Sequence, residues 1–250
     1  MFVPAIFAKI YAMRPNRYHP LKKYFTAVPA NYDRINRLMT WRLDQRYRKR
    51  MAKLIVSSEA CSFLDVGAGT GDLTLQIASH DPTNRIALTA LDFSDTMLAE
   101  MARKTASLNH SPIRRVLGDA SQMPFEEAQF DAAGTAFAFR NMTFENEKSE
   151  KILQEYYRVI KPGGKLYILE TSRPSLAPIR WLFHLYLYFA AGLLGGILSG
   201  NHEAYRYLAR SATHFYSRKT IRNMIQKAGF VEVKQRPVLM GMLAITIASK

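Results

Sequence analysis

Three glycines, Gly67, Gly69 and Gly71, stand between two acids, Asp65 and Asp72, directly after the apolar run that contains Phe63, Leu64 and Val66. A second apolar run closes on Leu91-Asp92-Phe93-Ser94, with Asp92 lying 21 residues beyond Gly71. An apolar strand feeding a glycine turn that opens a helix lets the backbone approach a nucleotide-bearing ligand closely. The spacing does not fit a dinucleotide, whose third glycine would fall where Asp72 stands. Asp65 and Asp72 would also oppose a pyrophosphate at the helix N-terminus. They suit a ligand that carries an ammonium and a sulfonium, and an acid ending the second strand can accept from both ribose hydroxyls. The loop and Asp92 therefore read as a site for S-adenosylmethionine.

The acceptor should face Thr135-Ala136-Phe137-Ala138-Phe139-Arg140-Asn141, because ligands sit at the carboxyl ends of parallel strands. The acid or amide followed by two prolines and an aromatic, common in amino-group methyltransferases, is absent there. Cytosine C5 chemistry needs a thiolate, but the single cysteine, Cys61, precedes the first strand at its far end. No His/Cys/Asp cluster has metal-ligand spacing, so no metal is expected. Aromatics with one guanidinium and one amide suit an electron-rich aromatic carbon. A hydroquinone ring becomes nucleophilic at carbon as its hydroxyl loses a proton, and a cation at the ring oxygen stabilises that charge. The alternative for Arg140 is a salt bridge to a core acid.

Alternating patterns position these residues. Strands are expected near 62–66, 86–92, 113–117, 130–136 and 165–171, with helices near 71–79, 94–106 and 146–160. Such alternation with short connections argues a parallel sheet covered on both faces. Lys161-Pro162-Gly163-Gly164 reads as a helix stop and a sharp turn into the next strand. A helix near 218–229 and strands near 231–236 and 243–249 follow, the last two as an antiparallel hairpin. Ahead of the sheet, Leu21 to Val56 is amphipathic, with Tyr32, Ile35, Leu38, Met39 and Leu43 at helical spacing.

The 250 residues suit one α/β domain with embellishments, and the net charge of +15 is unevenly placed. Residues 1–53 carry 13 Lys/Arg against Asp33 and Asp44, and residues 201–250 carry nine against Glu203 and Glu232. The middle, 54–199, is slightly acidic, with 13 against 16. Nucleic acid and an anionic membrane surface both attract such flanks. Trp181 to Ser199 runs 19 residues without a charge. A single crossing there would strand the last two strands on the wrong side of a bilayer. It is expected instead to be a lid or surface-dipping element. One cysteine and no secretory signal point to a reducing, cytoplasmic setting.

Over roughly residues 25–250 the chain resembles the ubiquinone/menaquinone-biosynthesis C-methyltransferases. The resemblance rests on Tyr32-Asp33-Arg34-Ile35-Asn36-Arg37-Leu38-Met39, the glycine loop with Asp72-Leu73-Thr74, and Gly118-Asp119-Ala120 through Met123-Pro124-Phe125. Phe130-Asp131, Phe139-Arg140-Asn141-Met142-Thr143, Tyr157-Arg158 through Gly164, and Tyr205-Arg206-Tyr207-Leu208 with Ser211 and Phe215 carry it further. It implies a Rossmann-like class I fold: a mostly parallel seven-stranded sheet, an antiparallel C-terminal strand, an N-terminal helical section (1–56) and a methyltransferase domain (57–250). A helical lid is inserted at about 174–215. Cofactor contacts are expected from Asp65, Gly67, Gly69, Thr70, Gly71, Asp92, Asp119 and Ala120. Arg140, Asn141 and Tyr32 are expected around the quinol, with Arg140 helping a water take up the ring proton.

The expected reaction is methylation of a prenylated naphthoquinol, demethylmenaquinol to menaquinol, with a benzoquinol of the ubiquinone pathway as the near alternative. An RNA methyltransferase is favoured only by charge, and a non-catalytic scaffold would lack the Arg140-Asn141 pair. Peripheral contact with the inner face of an anionic membrane is expected and no nucleic acid, and a homodimer is compatible with the pattern. Three positions depart from the family. A glycine gives way near Trp41-Arg42, a serine or threonine near the methyl donor is Ala136, and the C-terminal strand reads Met240-Gly241-Met242-Leu243-Ala244-Ile245-Thr246.

Overall fold

The computed structural model describes residues 32–106, 112–189 and 210–250, with the side chains of Tyr32 and Ile35 outside that description. The expectations for residues 21–31, for 190–199 of the uncharged segment and for the Tyr205–Leu208 motif lie outside the described residues.

Alternation builds the sheet. In β1 (Ser62–Val66), Leu64 and Val66 enter one core and Phe63 the other, all fully buried. Helices follow wherever the period changes: α1 (Tyr32–Met39), α2 (Leu43–Val56), then α3 (Asp72–His80) after β1. β2 (Ala87–Asp92), α4 (Asp95–Thr105), β3 (Arg114–Leu117) and β4 (Phe130–Ala136) continue the pattern. Ser94 caps α4 by accepting from the Met97 amide, which ends β2 sharply after Asp92. Next come α5 (Phe139–Thr143), α6 (Ser149–Val159), β5 (Ile160–Thr171), α7 (Ala177–Tyr186), α8 (Arg218–Lys227), β6 (Val231–Val238) and β7 (Leu243–Ser249).

The seven strands lie in the order β3-β2-β1-β4-β5-β7-β6. β1 to β5 are parallel, and β7 runs antiparallel between β5 and β6. Met51, Ala52 and Ile55 of α2 pack with Leu73, Ile77 and Met101 on one face. Ile152, Leu153 and Tyr156 of α6 pack with Ile221, Ile225 and Phe230 on the other. Strand order reverses between β1 and β4, so the loops leaving those two strands diverge and open a crevice at their carboxyl ends.

Two local features differ from the sequence expectation. β5 begins at Ile160 rather than near 165, because Lys161–Gly164 form a bulge inside the strand. Pairing steps from Phe130–Ile160 directly to Ala132–Lys165. Gly163 holds φ 77° and donates to the Lys250 carbonyl at 3.1 Å, and the Lys250 amide returns to Gly164 at 2.9 Å. Between α1 and α2, Trp41 and Arg42 take φ of 52° and 59°, the left-handed conformation that favours glycine. Two residues with bulky side chains thus bear the strain of this backbone. Among the described residues no helix is long and apolar enough to cross a membrane.

Candidate active site

The glycine loop occupies the crevice. Gly67, Gly69 and Gly71 all have positive φ, at 67°, 57° and 84°. A Cβ on Gly67 would come within 2.8 Å of the Ala138 Cβ, so the β1 loop and the chain leaving β4 touch here. The Gly67 and Ala68 amides donate to the Leu91 carbonyl at 2.8 and 3.1 Å, fixing the loop against the end of β2. Asp92 then anchors it from within. Its carboxylate accepts from the Gly69 amide at 2.7 Å through one oxygen and from the Ser94 amide at 2.9 Å through the other. Each oxygen keeps a lone pair, so a diol can still be received. Burial raises the Asp92 carboxyl above its ordinary range, against the pull of the Ser94, Gly69 and Phe93 amides. These residues fit an adenosyl ligand.

Asp65 lies deeper. It is 1% exposed, and the Thr74 hydroxyl donates to it at 2.7 Å. Complete burial pushes its carboxyl up to about 6, against the pull of Thr74 and of the Arg48 charge. In this structure it braces the start of α3. Thr70 faces α1, where its hydroxyl meets the Asp33 carboxylate at 3.0 Å and the Lys104 ammonium at 3.0 Å. Lys104 also bridges Asp33 at 2.8 Å and Asp72 at 2.6 Å, and Arg37 reaches Asp72 at 3.3 Å. Burial acts upward on Asp72, yet Arg48, Lys104 and Arg37 outweigh it and hold the carboxyl below its usual range. This cluster fastens α1 to the loop.

Asp119 stands at the turn after β3, accepting from the Ser121 amide at 2.8 Å and from Lys148 at 2.9 Å. Burial pushes its carboxyl up, but Lys148 and Ser121 prevail and keep it low. Ala120 packs against the core beside it.

The residues after β4 make a sharp corner. Phe137 has φ 64°, a strained value for a side chain of its size, and the Arg48 guanidinium lies 4.7 Å from its ring centre. The corner turns α5 across the end of β5. Arg140, 4% exposed, reaches the Thr171 hydroxyl at 2.9 Å and the Glu170 carboxylate at 3.5 Å. Glu170 also accepts the Arg140 amide at 2.9 Å, and the Thr171 amide and hydroxyl at 2.7 and 2.8 Å. The salt bridge to a core acid is therefore present. It does not consume the guanidinium: among the described residues Arg140 Nε is buried without a partner, and so is Asn141 Oδ1. Cys61 is exposed at the opposite end of β1, with its amide bonded to Asp131 at 3.0 Å.

Residues 13–250 match the model of the ubiE/COQ5 methyltransferase family. The chain belongs to that family. It is 34% identical over 226 residues to the demethylmenaquinone methyltransferase of Thermus thermophilus, covering 90% of this chain and 99% of that one. It is 31% identical over 239 residues to the enzyme of the same name from Geobacillus stearothermophilus, covering 95% and 100%. Among solved structures, a SAM-dependent methyltransferase from Aquifex aeolicus superposes with a TM-score of 0.51 at 18% identity, over 76% of this chain and 81% of that one. The fold is that of the S-adenosylmethionine-dependent methyltransferases.

Within this ubiE/COQ5 methyltransferase, sequence reasoning missed Glu170, Thr171, Asp33, Lys104 and Arg48. Glu170 ends an apolar strand as Asp92 does, and that placement was the available signal. The partnership of Asp33 with Thr70 and Lys104 left none, since 71 residues separate Asp33 from Lys104.

Proposed function

We propose that this methyltransferase methylates a ring carbon of a prenylated hydroquinone, demethylmenaquinol being the substrate and S-adenosylmethionine the donor. The carrying observation is the pair of unsatisfied polar atoms on consecutive residues of α5, Arg140 Nε and Asn141 Oδ1. Buried polar atoms ordinarily have partners, and an unpaired one costs about 1–3 kcal/mol. A charged donor beside a neutral acceptor matches a phenolic hydroxyl, which donates to Asn141 and accepts from Arg140. The same donor then holds the oxygen as it becomes anionic, an interaction that strengthens toward the transition state.

The donor supplies an electrophilic methyl group when bound. Asp92, oriented by the Gly69 amide, would hold its ribose, the turn at Gly67–Gly71 its amino-acid end, and Asp119 with Ala120 its base. Glu170 and Thr171 take the other end of the Arg140 guanidinium and leave Nε to the ring oxygen. Tyr32, the first residue of α1, is the third residue assigned to the ring. A benzoquinol of ubiquinone biosynthesis is the second reading, since one ring hydroxyl engages the same two atoms. The names of the Thermus and Geobacillus relatives favour the naphthoquinol. The described part of the expected lid, 174–189, is assigned to the tail. The enzyme works from the cytoplasm at the membrane's inner face.

Incubation with methyl-labelled cofactor and reduced prenylated naphthoquinone, benzoquinone or RNA tests the reading. The label should appear on the naphthoquinol ring carbon and depend on reductant. Arg140→Ala should bind the cofactor normally and lose most turnover. Labelling of RNA and of neither quinol would refute the assignment.

A further inference from the structure

β5 ends at Thr171, next to Glu170, and five residues lead from it into α7. Phe183 turns inward from α7 and is buried with Leu187, Met39 and Met242. The outer side of the helix is also apolar: Trp181 is 50% exposed, Leu182 58%, and Phe189 just beyond it 51%. Apolar side chains exposed in a cluster of this kind mark a surface that is normally covered. The Tyr186 hydroxyl donates to the Met39 carbonyl and joins α7 to the end of α1. There Leu38 and Trp41 extend the same surface, 67% and 83% exposed.

The charge of this face has one sign. No Asp or Glu stands between Arg34 and Leu43, or between Arg173 and Phe189. Arg34 shares a side of α1 with Leu38, four residues after it. Arg34, Arg42, Arg173 and Arg180 form no ion pair with any described residue. A second copy of this chain docked through the face would set arginines against arginines. An anionic bilayer offers phosphates to the arginines, an interface suited to Trp and Tyr, and an apolar interior.

We infer that the surface formed by Leu38, Trp41, Trp181, Leu182, Tyr186 and Phe189, with its flanking arginines, docks on an anionic lipid bilayer. The inference deepens the quinol reading, on which it rests for the nature of the substrate's tail. A prenyl chain resides in the bilayer, and docking there brings the enzyme to the substrate's tail without drawing that tail through water.

The only two tryptophans of the chain, Trp41 and Trp181, both lie on this face, so intrinsic fluorescence of the full chain reports on it directly. Vesicles of phosphatidylcholine with phosphatidylglycerol should shift the emission to the blue, and brominated lipids should quench it. Pure phosphatidylcholine or high salt should weaken both effects. Arg42→Glu and Arg173→Glu should each lower partitioning onto anionic vesicles at least about fivefold, and Trp41→Ser with Trp181→Ser at least about tenfold by sedimentation. Turnover on detergent-dispersed quinol should stay near wild type in Arg42→Glu and Arg173→Glu. Emission unmoved by vesicles, or full binding by the charge-reversed variants, would overturn the proposal. Tryptophans already shielded from acrylamide in lipid-free protein would also overturn it, because another segment or a second copy would then occupy the face. No readout here except turnover depends on methyl transfer. Vesicle binding without quinol methylation would sink the quinol reading and leave the docking face standing.

Discussion

Replacing Glu170 by alanine should damage the protein in two separable ways. The carboxylate is 2% exposed, and it accepts three hydrogen bonds from the Arg140 amide and the Thr171 amide and hydroxyl while lying 3.5 Å from the Arg140 guanidinium. Removing it leaves a guanidinium buried to 4% exposure without its counter-charge. Breaking a buried pair from one side costs about 3–5 kcal/mol. At about 2–4 °C per kcal/mol for a chain of this size, the melting temperature should fall by about 6–20 °C. The apolar double variant, Arg140→Met with Glu170→Leu, removes both charges together. Its loss should fall short of the sum of the two single losses by about 1–3 kcal/mol, the coupling expected of residues in contact. Thermal unfolding of the four proteins closes the cycle, and methyl transfer on the same samples separates stability from chemistry. The double variant should fold well and turn over poorly. A fall of less than about 2 °C for Glu170→Ala, or strict additivity in the cycle, would show that this pair does not hold Arg140 in place.

Asp92→Ala should weaken cofactor binding by about 1–3 kcal/mol, the cost of leaving ribose hydroxyls unpaired, and calorimetry would expose an error if affinity were unchanged. Asp65, raised from 3.8 to about 6 by burial, binds its proton more tightly in the folded state. Its ionisation therefore opposes folding by an amount that grows as pH rises from about 4 to about 6 and then stays constant, reaching about 3 kcal/mol. Asp65→Asn, which keeps an acceptor for Thr74, should accordingly gain most over wild type above pH 6, and a mutant-minus-wild-type difference flat across pH 4–7 would contradict this. Arg42→Gly should stabilise the link between α1 and α2 by about 1 kcal/mol, because φ 59° costs glycine nothing; a lower melting temperature would count against the strain.

Local chemistry was enough to read much of this protein from its residues. Glycines at alternate positions between acids specify a turn with positive φ, and Asp92 at the end of an apolar run lies against that turn. Both are short-range facts of backbone conformation. The same holds for the strand and helix periods, which set the seven strands and the antiparallel hairpin at their end. Three things waited on the tertiary structure. The partner of Arg140 is Glu170, 30 residues away, and only the adjacency of β4 to β5 brings them together. The fastening of α1 to the loop through Asp33, Thr70 and Lys104 joins segments far apart in the chain, and ion pairs leave no periodic trace in sequence. The Lys161–Gly164 bulge looked like a turn, because two glycines permit either, and pairing with Lys250 decided for the bulge. Residue type and spacing encode what the backbone does over a few residues. Which distant charges meet, and which apolar face stays uncovered, follows from strand order, which a single sequence carries only implicitly.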